Sequence, residues 1–407
     1  MPLARWRRRI AGGVAVLAGT LLVLAGVALG PMNRVLRDRD RNVVLLAWDD
    51  QAARLVVNES VHAPLQLDGP YVRRLRPGYV EVMRVVRGGD GWDAERRLLH
   101  ESAAVAVEVD NPPRTRFEVA LRAPAVPPPD VVAQPASLLL LSDLDGDFDA
   151  WTGLLRAQGV IDDRLHWRFG AGHVAIAGDF MDEGPNILPL LWLLYRLQGE
   201  AEQAGGRVHL VLGNHELLLL AGRFRDAPQR LFASRDAFFD GDSRRMFAVD
   251  TVLGQWLRAQ PVALKLGDTL LVHGGVSEVF LDAGLDLATA NQLARAELDV
   301  DRSRVSAAAA PVLGRQGLPW YRGMAVPHDR GRSLEDAPCA HLDEVLRRYR
   351  VRRVAIGHTQ APRVMLEQQG RLLRLDVDHL RQGAQGASLA EGRWWRVDAR
   401  GGREPLD

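Results

Sequence analysis

The last two thirds of the chain contain a series of short apolar segments, each followed directly by polar side chains. This recurrence constrains the fold more than any other feature of the sequence. The strand candidates are residues 138–141, 174–177, 208–212, 270–273 and 351–356. Helical spacing of apolar residues at 186–204 and 340–349 accompanies them, which favours an α/β fold. Because ligands bind at the carboxyl ends of strands in such sheets, the polar side chains are expected to meet at one edge.

The polar side chains that follow these strands are carboxylates, one carboxamide and imidazoles. They lie in the segments 142–147 (SDLDGD), 178–184 (GDFMDEG), 213–216 (GNHE), 273–275 (HGG) and 357–359 (GHT). Such donors suit divalent ions like Mn, Fe or Zn. A pair of these ions about 3.5–4 Å apart can hold the attacking and leaving oxygens of a displacement at phosphorus. Cys339 is the only cysteine, which excludes a disulfide framework and a thiolate zinc site.

In this order the motifs resemble the calcineurin-like metallophosphoesterases, and among them the phosphoprotein phosphatase branch. The pattern of that branch is D-x-H-G, G-D-x-x-D-R-G, G-N-H-E, H-G-G and G-H, and the resemblance covers residues 138–379. It implies a four-layer α-β-β-α sandwich with two mixed sheets and two divalent metal ions. The implied metal ligands are Asp143 and Asp145 on the first ion, Asp179 between the ions, and Asn214, His273 and His358 on the second.

The resemblance also implies which residues act on the substrate. His215 would be the general acid that protonates the leaving oxygen, and Asp182 would hold its imidazole in the charged form. Arg322, in the sequence WYRG, resembles a substrate-binding arginine of the branch, and Asn214 is the other predicted substrate contact. A surface arginine beside a packed tryptophan is an equally good interpretation of Arg322.

Two positions depart from the pattern of the branch. Asp145 stands where the branch has a histidine on the first metal, so three carboxylates would surround that ion and favour Mn or Mg over zinc. Manganese is therefore the expected cofactor, with iron, zinc and magnesium as alternatives. Glu183 stands where the branch has an arginine that contacts phosphate, so another cation, such as Arg322, must bind the substrate.

The amino-terminal segment predicts a membrane anchor. Residues 10–30 carry no charged side chain and are long enough to span a bilayer. Four arginines precede this segment, so the positive-inside rule places the N-terminus in the cytoplasm. The rest of the chain would then be extracytoplasmic, on a single-pass protein of the bacterial inner membrane. A cleaved signal peptide is the alternative.

Composition and turn residues divide the chain into four expected parts. Residues 1–30 are the anchor, 31–122 a small all-β module with alternating apolar residues, 123–135 a proline-rich linker, and 136–407 the metallophosphoesterase domain. Residues 223–260 have the character of an inserted helical cap.

These features predict a membrane-anchored, dinuclear metal-dependent phosphatase for phosphomonoesters, with Ser, Thr or Tyr phosphate in proteins as the expected substrate. A nucleotide or dinucleotide polyphosphate is an alternative substrate. A catalytically degraded binding or sensing protein of the envelope is the alternative function. With 52 basic and 51 acidic side chains the formal charge is +1, so a nucleic-acid partner is not expected.

Overall fold

The computed structural model describes residues 36–38, 43–49, 54–56, 66–88, 91–181, 184–223, 229–325 and 341–406. The predicted anchor lies outside these residues, as do Asp182, Glu183 and Cys339. Among the described residues no helix combines the length and apolar character needed to cross a bilayer. The chain divides into two compact units, Met1–Leu65 and Gln66–Asp407.

Strands and helices follow one another along the chain in the order that the sequence predicts. The strands of the described residues are β1 Leu36–Asp38, β2 Val43–Asp49, β3 Arg54–Val56, β4 Leu67–Arg76, β5 Tyr79–Arg87, β6 Trp92–His100, β7 Val105–Glu108, β8 Arg116–Val119, β9 Val131–Val132, β10 Leu138–Leu141, β11 His173–Ile176, β12 Arg207–Leu210, β13 Ala263–Leu266, β14 Thr269–Val272, β15 Arg353–Ile356, β16 Met365–Glu367, β17 Leu372–Arg374, β18 Gln385–Ala390, β19 Arg393–Asp398 and β20 Arg403–Pro405. The helices are α1 Phe148–Ala157, α2 Ile187–Gln203, α3 Asn214–Leu220, α4 Gln229–Phe238, α5 Val252–Ala259, α6 Glu278–Asp282, α7 Leu287–Ala296, α8 Ala310–Leu313, α9 Leu342–Tyr349 and α10 His379–Gln382, with a 3-10 helix at Ser243–Phe247.

Two six-stranded mixed sheets form the centre of the second unit. Their strand orders are β12-β11-β10-β18-β19-β20 and β16-β17-β15-β14-β13-β9. The central pairs β10–β11, β11–β12, β14–β15 and β15–β17 are parallel, and antiparallel strands extend both sheets. Parallel strands buried on both faces need apolar residues throughout, which explains the four consecutive leucines of β10.

The two sheets pack against each other and carry helices on their outer faces. Successive side chains of a strand point to opposite faces. Leu138 and Leu140 of β10 therefore share a hydrophobic cluster with Leu271 of β14, between the sheets. Leu139 and Leu141 belong instead to the cluster that includes residues of α1 and α2. Because α7 packs against β13 of the other sheet, the layers run helix, sheet, sheet, helix, which agrees with the expected α/β sandwich.

The β-rich residues before the predicted linker are divided between the two units. In the first unit β1, β2 and β3 form one antiparallel sheet. The sheet β4-β5-β6 and the hairpin β7-β8 lie in the second unit, where β4 contacts α2, α4 and α5. Within this unit Trp192 of α2 donates a hydrogen bond to the carbonyl of Pro70 in β4, at 2.8 Å. The boundaries at 122 and 135 stay a prediction, because alternating apolar residues show that a strand has a buried face but not what covers it.

Candidate active site

The strands of the two sheets end at a common polar edge. Asp143, Asp179 and Asn214 follow β10, β11 and β12 of one sheet. His273 and His358 follow β14 and β15 of the other sheet. Each pair of neighbouring strands here is parallel, so their carboxyl ends lie side by side. The structure therefore brings together the five predicted ligands that stand at strand ends.

Asp179, His273 and His358 form a group that can hold a metal ion. One donor atom from each lies within 4.8 Å of the others, and all three residues are buried. The Nε2 atom of His273 lies 3.0 Å from Oδ2 of Asp179 and 3.0 Å from Oδ1 of Asn214. Its Nδ1 atom faces the carbonyl of Ala177 at 2.6 Å, which fixes the orientation of the ring. Buried oxygen and imidazole donors at this spacing fit a divalent first-row ion.

Charge in this group is balanced between the carboxylate and the imidazoles. Burial by itself would raise the pKa of Asp179, but the charges of His273 and His215 outweigh it and lower that pKa. Burial likewise opposes charge on His273, yet Asp179 raises the pKa of this imidazole to about 9. The negative charge of Asp179 therefore stabilises a positive charge beside it, and a divalent cation would be stabilised in the same way.

Asp143 is buried and is fixed by the backbone of both sheets. Its N–H donates to the carbonyl of Gly178 at 3.0 Å, and its carboxylate accepts from the N–H of His358 at 3.2 Å. The neighbouring Asp145 is half-buried, and its N–H donates to the carbonyl of Asp179 at 3.0 Å. The first motif is thereby joined to the loop of the proposed bridging carboxylate.

Four of the predicted ligands adopt the left-handed backbone conformation. The φ angles are 52° for Asp143, 49° for Asp145, 51° for Asp179 and 62° for His358. Strain of this kind is concentrated at functional sites, where the surrounding structure enforces it. Gly357 has a related role, because a Cβ atom at this position would overlap Oγ of Ser142 and Oδ2 of Asp143. The glycine lets the loop after β15 approach the first motif.

His215 lies at the opening of the site. Its N–H donates to Oδ1 of Asp179 at 3.0 Å, and its Nε2 atom lies 3.7 Å from Oδ2 of the same carboxylate. The side chain is 20% exposed, so it is accessible to a substrate while in contact with the buried group. Its predicted partner, Asp182, is outside the described residues.

Arg322 supplies a cation to the same site. Its Nη2 atom lies 3.3 Å from Nδ1 of His358, and Nη1 donates to the carbonyl of His358 and to Oγ1 of Thr359. Arg322 is exposed, as the surface interpretation expects, and its guanidinium also contacts a predicted ligand, as the substrate-binding interpretation requires.

Glu216 was not predicted as a site residue but organises two of the ligand loops. Its carboxylate is completely buried. Oε2 accepts the N–H groups of Asp179 and Gly213, and Oε1 accepts those of Phe180 and Met181, at 2.8–3.2 Å. Burial raises the pKa of Glu216, and these donors oppose the rise because they stabilise the ionised form. Its place as the last residue of the motif GNHE is the sequence feature that could have identified it as a site residue.

Arg374 is a second residue that the sequence interpretation missed. It is fully buried and forms an ion pair with Glu367 at 3.0 Å. Its Nη2 atom donates to the carbonyls of Thr359 and Gln360, at 2.9 and 2.7 Å. It thereby holds the segment that follows His358 against β17.

Comparison with known proteins agrees with this geometry. Residues 136–362 match the sequence model of the calcineurin-like phosphoesterases. The chain belongs to this family. The predicted resemblance is thereby confirmed for the phosphoesterase, and the family implies divalent metal ions, for which the group of Asp179, His273 and His358 provides donors.

Several relatives of this phosphoesterase carry phosphatase names. Shewanella-like protein phosphatase 2 of Arabidopsis thaliana is 36% identical over 92 residues, which are 23% of this chain and 24% of the relative. Shewanella-like protein phosphatase 1 of Plasmodium berghei (strain Anka) is 25% identical over 55% of this chain and 61% of the relative. A symmetrical bis(5'-nucleosyl)-tetraphosphatase of Neisseria meningitidis is 31% identical over 33% of this chain and 42% of the relative. The phosphoesterase thus spans less than two thirds of these relatives.

A solved structure extends the likeness. The crystal structure of a cold-active protein-tyrosine phosphatase of a psychrophile, Shewanella sp., matches with a TM-score of 0.72 and 28% sequence identity. The match covers 84% of this chain and 100% of the other. It therefore includes more of the phosphoesterase than the family segment alone.

Proposed function

We propose that this chain is a metal-dependent phosphatase that hydrolyses phosphomonoesters. The observation that carries the proposal is the buried group of Asp179, His273 and His358, with His215 and Arg322 in contact with it. When bound, the divalent ions of such a centre supply a hydroxide nucleophile and neutralise charge on the phosphate. The phosphatase names of relatives that cover different parts of the chain support the assignment.

In this proposal the side chains of the chain have separate tasks. Arg322 binds phosphate oxygens, for which its planar guanidinium offers two parallel N–H groups. His215 donates a proton to the leaving oxygen, because it is partly exposed beside the buried donors. Asp182 would keep the imidazole of His215 protonated, and Asn214 would contact both a metal ion and the substrate.

The proposed substrate is a phosphorylated protein, at serine, threonine or tyrosine. Two of the similar proteins are named protein phosphatases and one is a protein-tyrosine phosphatase, which supports this class. The match to a symmetrical bis(5'-nucleosyl)-tetraphosphatase keeps a dinucleotide polyphosphate as the second candidate.

We further propose two metal ions, with manganese as the preferred cofactor. Asp143, Asp145 and Asp179 would place three carboxylates at the first ion, and carboxylate oxygens favour Mn and Mg over softer ions. The proposed location is the outer face of a bacterial inner membrane, held by residues 1–30.

A hydrolysis assay on the purified full-length protein tests the activity. We expect Mn²⁺-dependent hydrolysis of 4-nitrophenyl phosphate, and a lower kcat in His215→Asn. His166→Asn is the matched control, because this exposed histidine pairs with Glu200 and should leave the rate unchanged. If the wild type is no faster than His215→Asn with any divalent metal, the binding or sensing function would be favoured instead.

Substrate class and topology need separate measurements. Phosphopeptides with phosphoserine, phosphothreonine or phosphotyrosine should be hydrolysed with a higher kcat/KM than diadenosine tetraphosphate, and the reverse order would favour the second candidate. Arg322→Lys should raise KM for every phosphoester, since lysine lacks the bidentate fork. A reporter fused to the C-terminus should be active only outside the cytoplasm, and cytoplasmic activity would contradict the proposed location.

A further inference from the structure

The turn of the β7–β8 hairpin contacts both of the helices that follow the first two motifs. This hairpin turn consists of residues 109–115 and precedes the segment 136–362 that matches the family. Helix α1 begins directly after the first motif, SDLDGD, and two residues separate α2 from the second motif, GDFMDEG. The function proposed so far gives these contacts no role.

Asn186 joins the hairpin turn to the start of α2 through both ends of its carboxamide. Its Oδ1 atom accepts the N–H of Asp110 at 2.9 Å, and its Nδ2 atom donates to the carbonyl of Asp110 at 3.2 Å. Asn186 is only 3% exposed. It is the N-cap residue of α2, where an asparagine usually accepts an N–H of the first turn, but its side chain makes no such bond. The carboxamide therefore holds the hairpin turn instead of capping the helix.

The backbone around Asn186 is bonded to the first motif. The N–H of Asn186 donates to the carbonyl of Gly146 at 3.0 Å, and the N–H of Gly184 donates to the carbonyl of Asp145. A Cβ atom at Gly184 would overlap the backbone of residues 145–147, so the two segments approach each other as closely as a glycine allows. Hydrogen bonds thus connect the hairpin turn, through Asn186, to the backbone beside a predicted metal ligand.

Asn111 makes a second contact, between the hairpin turn and α1. Its Nδ2 atom donates to Oδ1 of Asp149, in the first turn of α1, at 2.6 Å. Its Oδ1 atom accepts the N–H of Thr115 at 2.9 Å, which orders the hairpin turn itself. Phe117 of β8 stacks on Phe148 of α1, with ring centroids 6.1 Å apart. The hairpin therefore holds the helix that follows the first motif as well as the segment bonded to that motif.

We propose that Asn186 is a positioning residue for the first metal ion, because it fixes the motif that carries Asp143 and Asp145. The inference rests on the metal centre of the proposed function, but not on hydrolysis. Partners that orient metal ligands without touching the metal typically change its affinity by about 10–100-fold when they are removed. The other ligands of the second ion follow different strands, so that ion should be affected less.

Calorimetric titration of the metal-free, full-length protein with Mn²⁺ tests this inference. Asn186→Ser is the main variant, because serine is as good an N-cap as asparagine but its single hydroxyl cannot bond both the N–H and the carbonyl of Asp110. It should lower the affinity of one of two Mn²⁺ sites about tenfold and leave the other within about threefold. Asn111→Ala, which removes the contact with Asp149, should weaken the same site.

Gln198→Ala is the matched control, on the same helix as Asn186. Gln198 is also partly buried, accepts Nε1 of Trp256 at 2.8 Å and donates to the carbonyl of Val208 at 3.2 Å. None of these partners is a predicted ligand. Gln198→Ala should therefore unfold at a lower urea concentration than the wild type, while both of its Mn²⁺ sites keep their affinity.

Three results would overturn the inference. They are normal Mn²⁺ binding by Asn186→Ser, an equal loss of Mn²⁺ affinity in Gln198→Ala, and a wild type that binds a single ion which Asn186→Ser leaves unaffected. If the protein is active, Asn186→Ser should need about tenfold more Mn²⁺ for half-maximal hydrolysis but should reach the wild-type kcat at saturating Mn²⁺. If Asn186→Ser weakens one Mn²⁺ site and neither it nor the wild type hydrolyses phosphoesters, the proposed function fails and this inference stands.

Discussion

Replacing Glu216 by glutamine tests whether one buried carboxylate holds two ligand loops together. Oε2 accepts the N–H groups of Asp179 and Gly213, and Oε1 accepts those of Phe180 and Met181. Glutamine has one carbonyl oxygen, so it can accept from only one of these two pairs. Its amide NH₂ would then face the N–H groups of the other pair, and two buried donors would lose their acceptor.

The size of the effect follows from the number of donors. A buried N–H group without an acceptor costs about 1–3 kcal/mol. For Glu216→Gln we therefore expect the free energy of unfolding to fall by about 2–6 kcal/mol, which is twice that cost. Because Asp179 and Asn214, which follows Gly213, are predicted ligands, the affinity for Mn²⁺ should also fall, by about tenfold or more.

Urea unfolding of the metal-free protein, followed by circular dichroism, measures the first effect, and calorimetric titration with Mn²⁺ measures the second. Glu297→Gln is the control, since this carboxylate is partly exposed and accepts the N–H of Ser306 at 2.8 Å. Its effect should stay below about 1 kcal/mol. If Glu216→Gln is as stable as Glu297→Gln and binds Mn²⁺ normally, the assigned role of Glu216 is wrong.

Three further changes test other parts of the structure. Gly357→Ala should lower Mn²⁺ affinity about tenfold or more in calorimetry, because its Cβ would displace Asp143, and unchanged affinity would contradict the close approach. Burial lowers the pKa of the His209 imidazole in the folded protein to about 3. In the unfolded chain the same imidazole binds a proton near pH 6.5. The stability that is present above pH 6.5 is therefore lost as the pH falls. Urea titrations should show a loss of about 2 kcal/mol from pH 7 to pH 5 that His209→Gln removes, and an equal loss in that variant would refute the assignment. Arg374→Met should lower the free energy of urea unfolding by about 3–5 kcal/mol, because it leaves Glu367 buried and unpaired, and the added change Glu367→Leu should recover part of this loss.

Periodicity and turn residues were sufficient to predict the strands that carry the site. The predicted strand at 138–141 coincides with β10, and the predicted helix at 186–204 contains α2 with one residue to spare at each end. The strand consists of four consecutive leucines and the helix carries apolar residues at helical spacing, so local sequence is enough to predict both. The convergence of Asp143, Asp179, Asn214, His273 and His358 was also predictable, because parallel strands share one carboxyl edge.

Side-chain partners across the fold were not predictable in the same way. Glu216 belongs to a helix and Arg374 to a strand, and neither position reveals that backbone groups of a distant loop stand opposite. The same reason applies to the β-rich residues before position 122, since β4 contacts α2, which no local pattern in the strand reveals.

The origin of the metal donors in two different sheets has a consequence for the life cycle of the protein. Asp179 and Asn214 belong to one half of the sandwich, and His273 and His358 to the other. A cation held by these donors would cross-link the two halves, in addition to the apolar packing and hydrogen bonds between the sheets. The full set of donors exists only once both sheets have packed together, so we expect newly made chains to complete the sandwich before they bind a cation. Removal of the cation by a chelator should abolish this cross-link and shorten the lifetime of the native state.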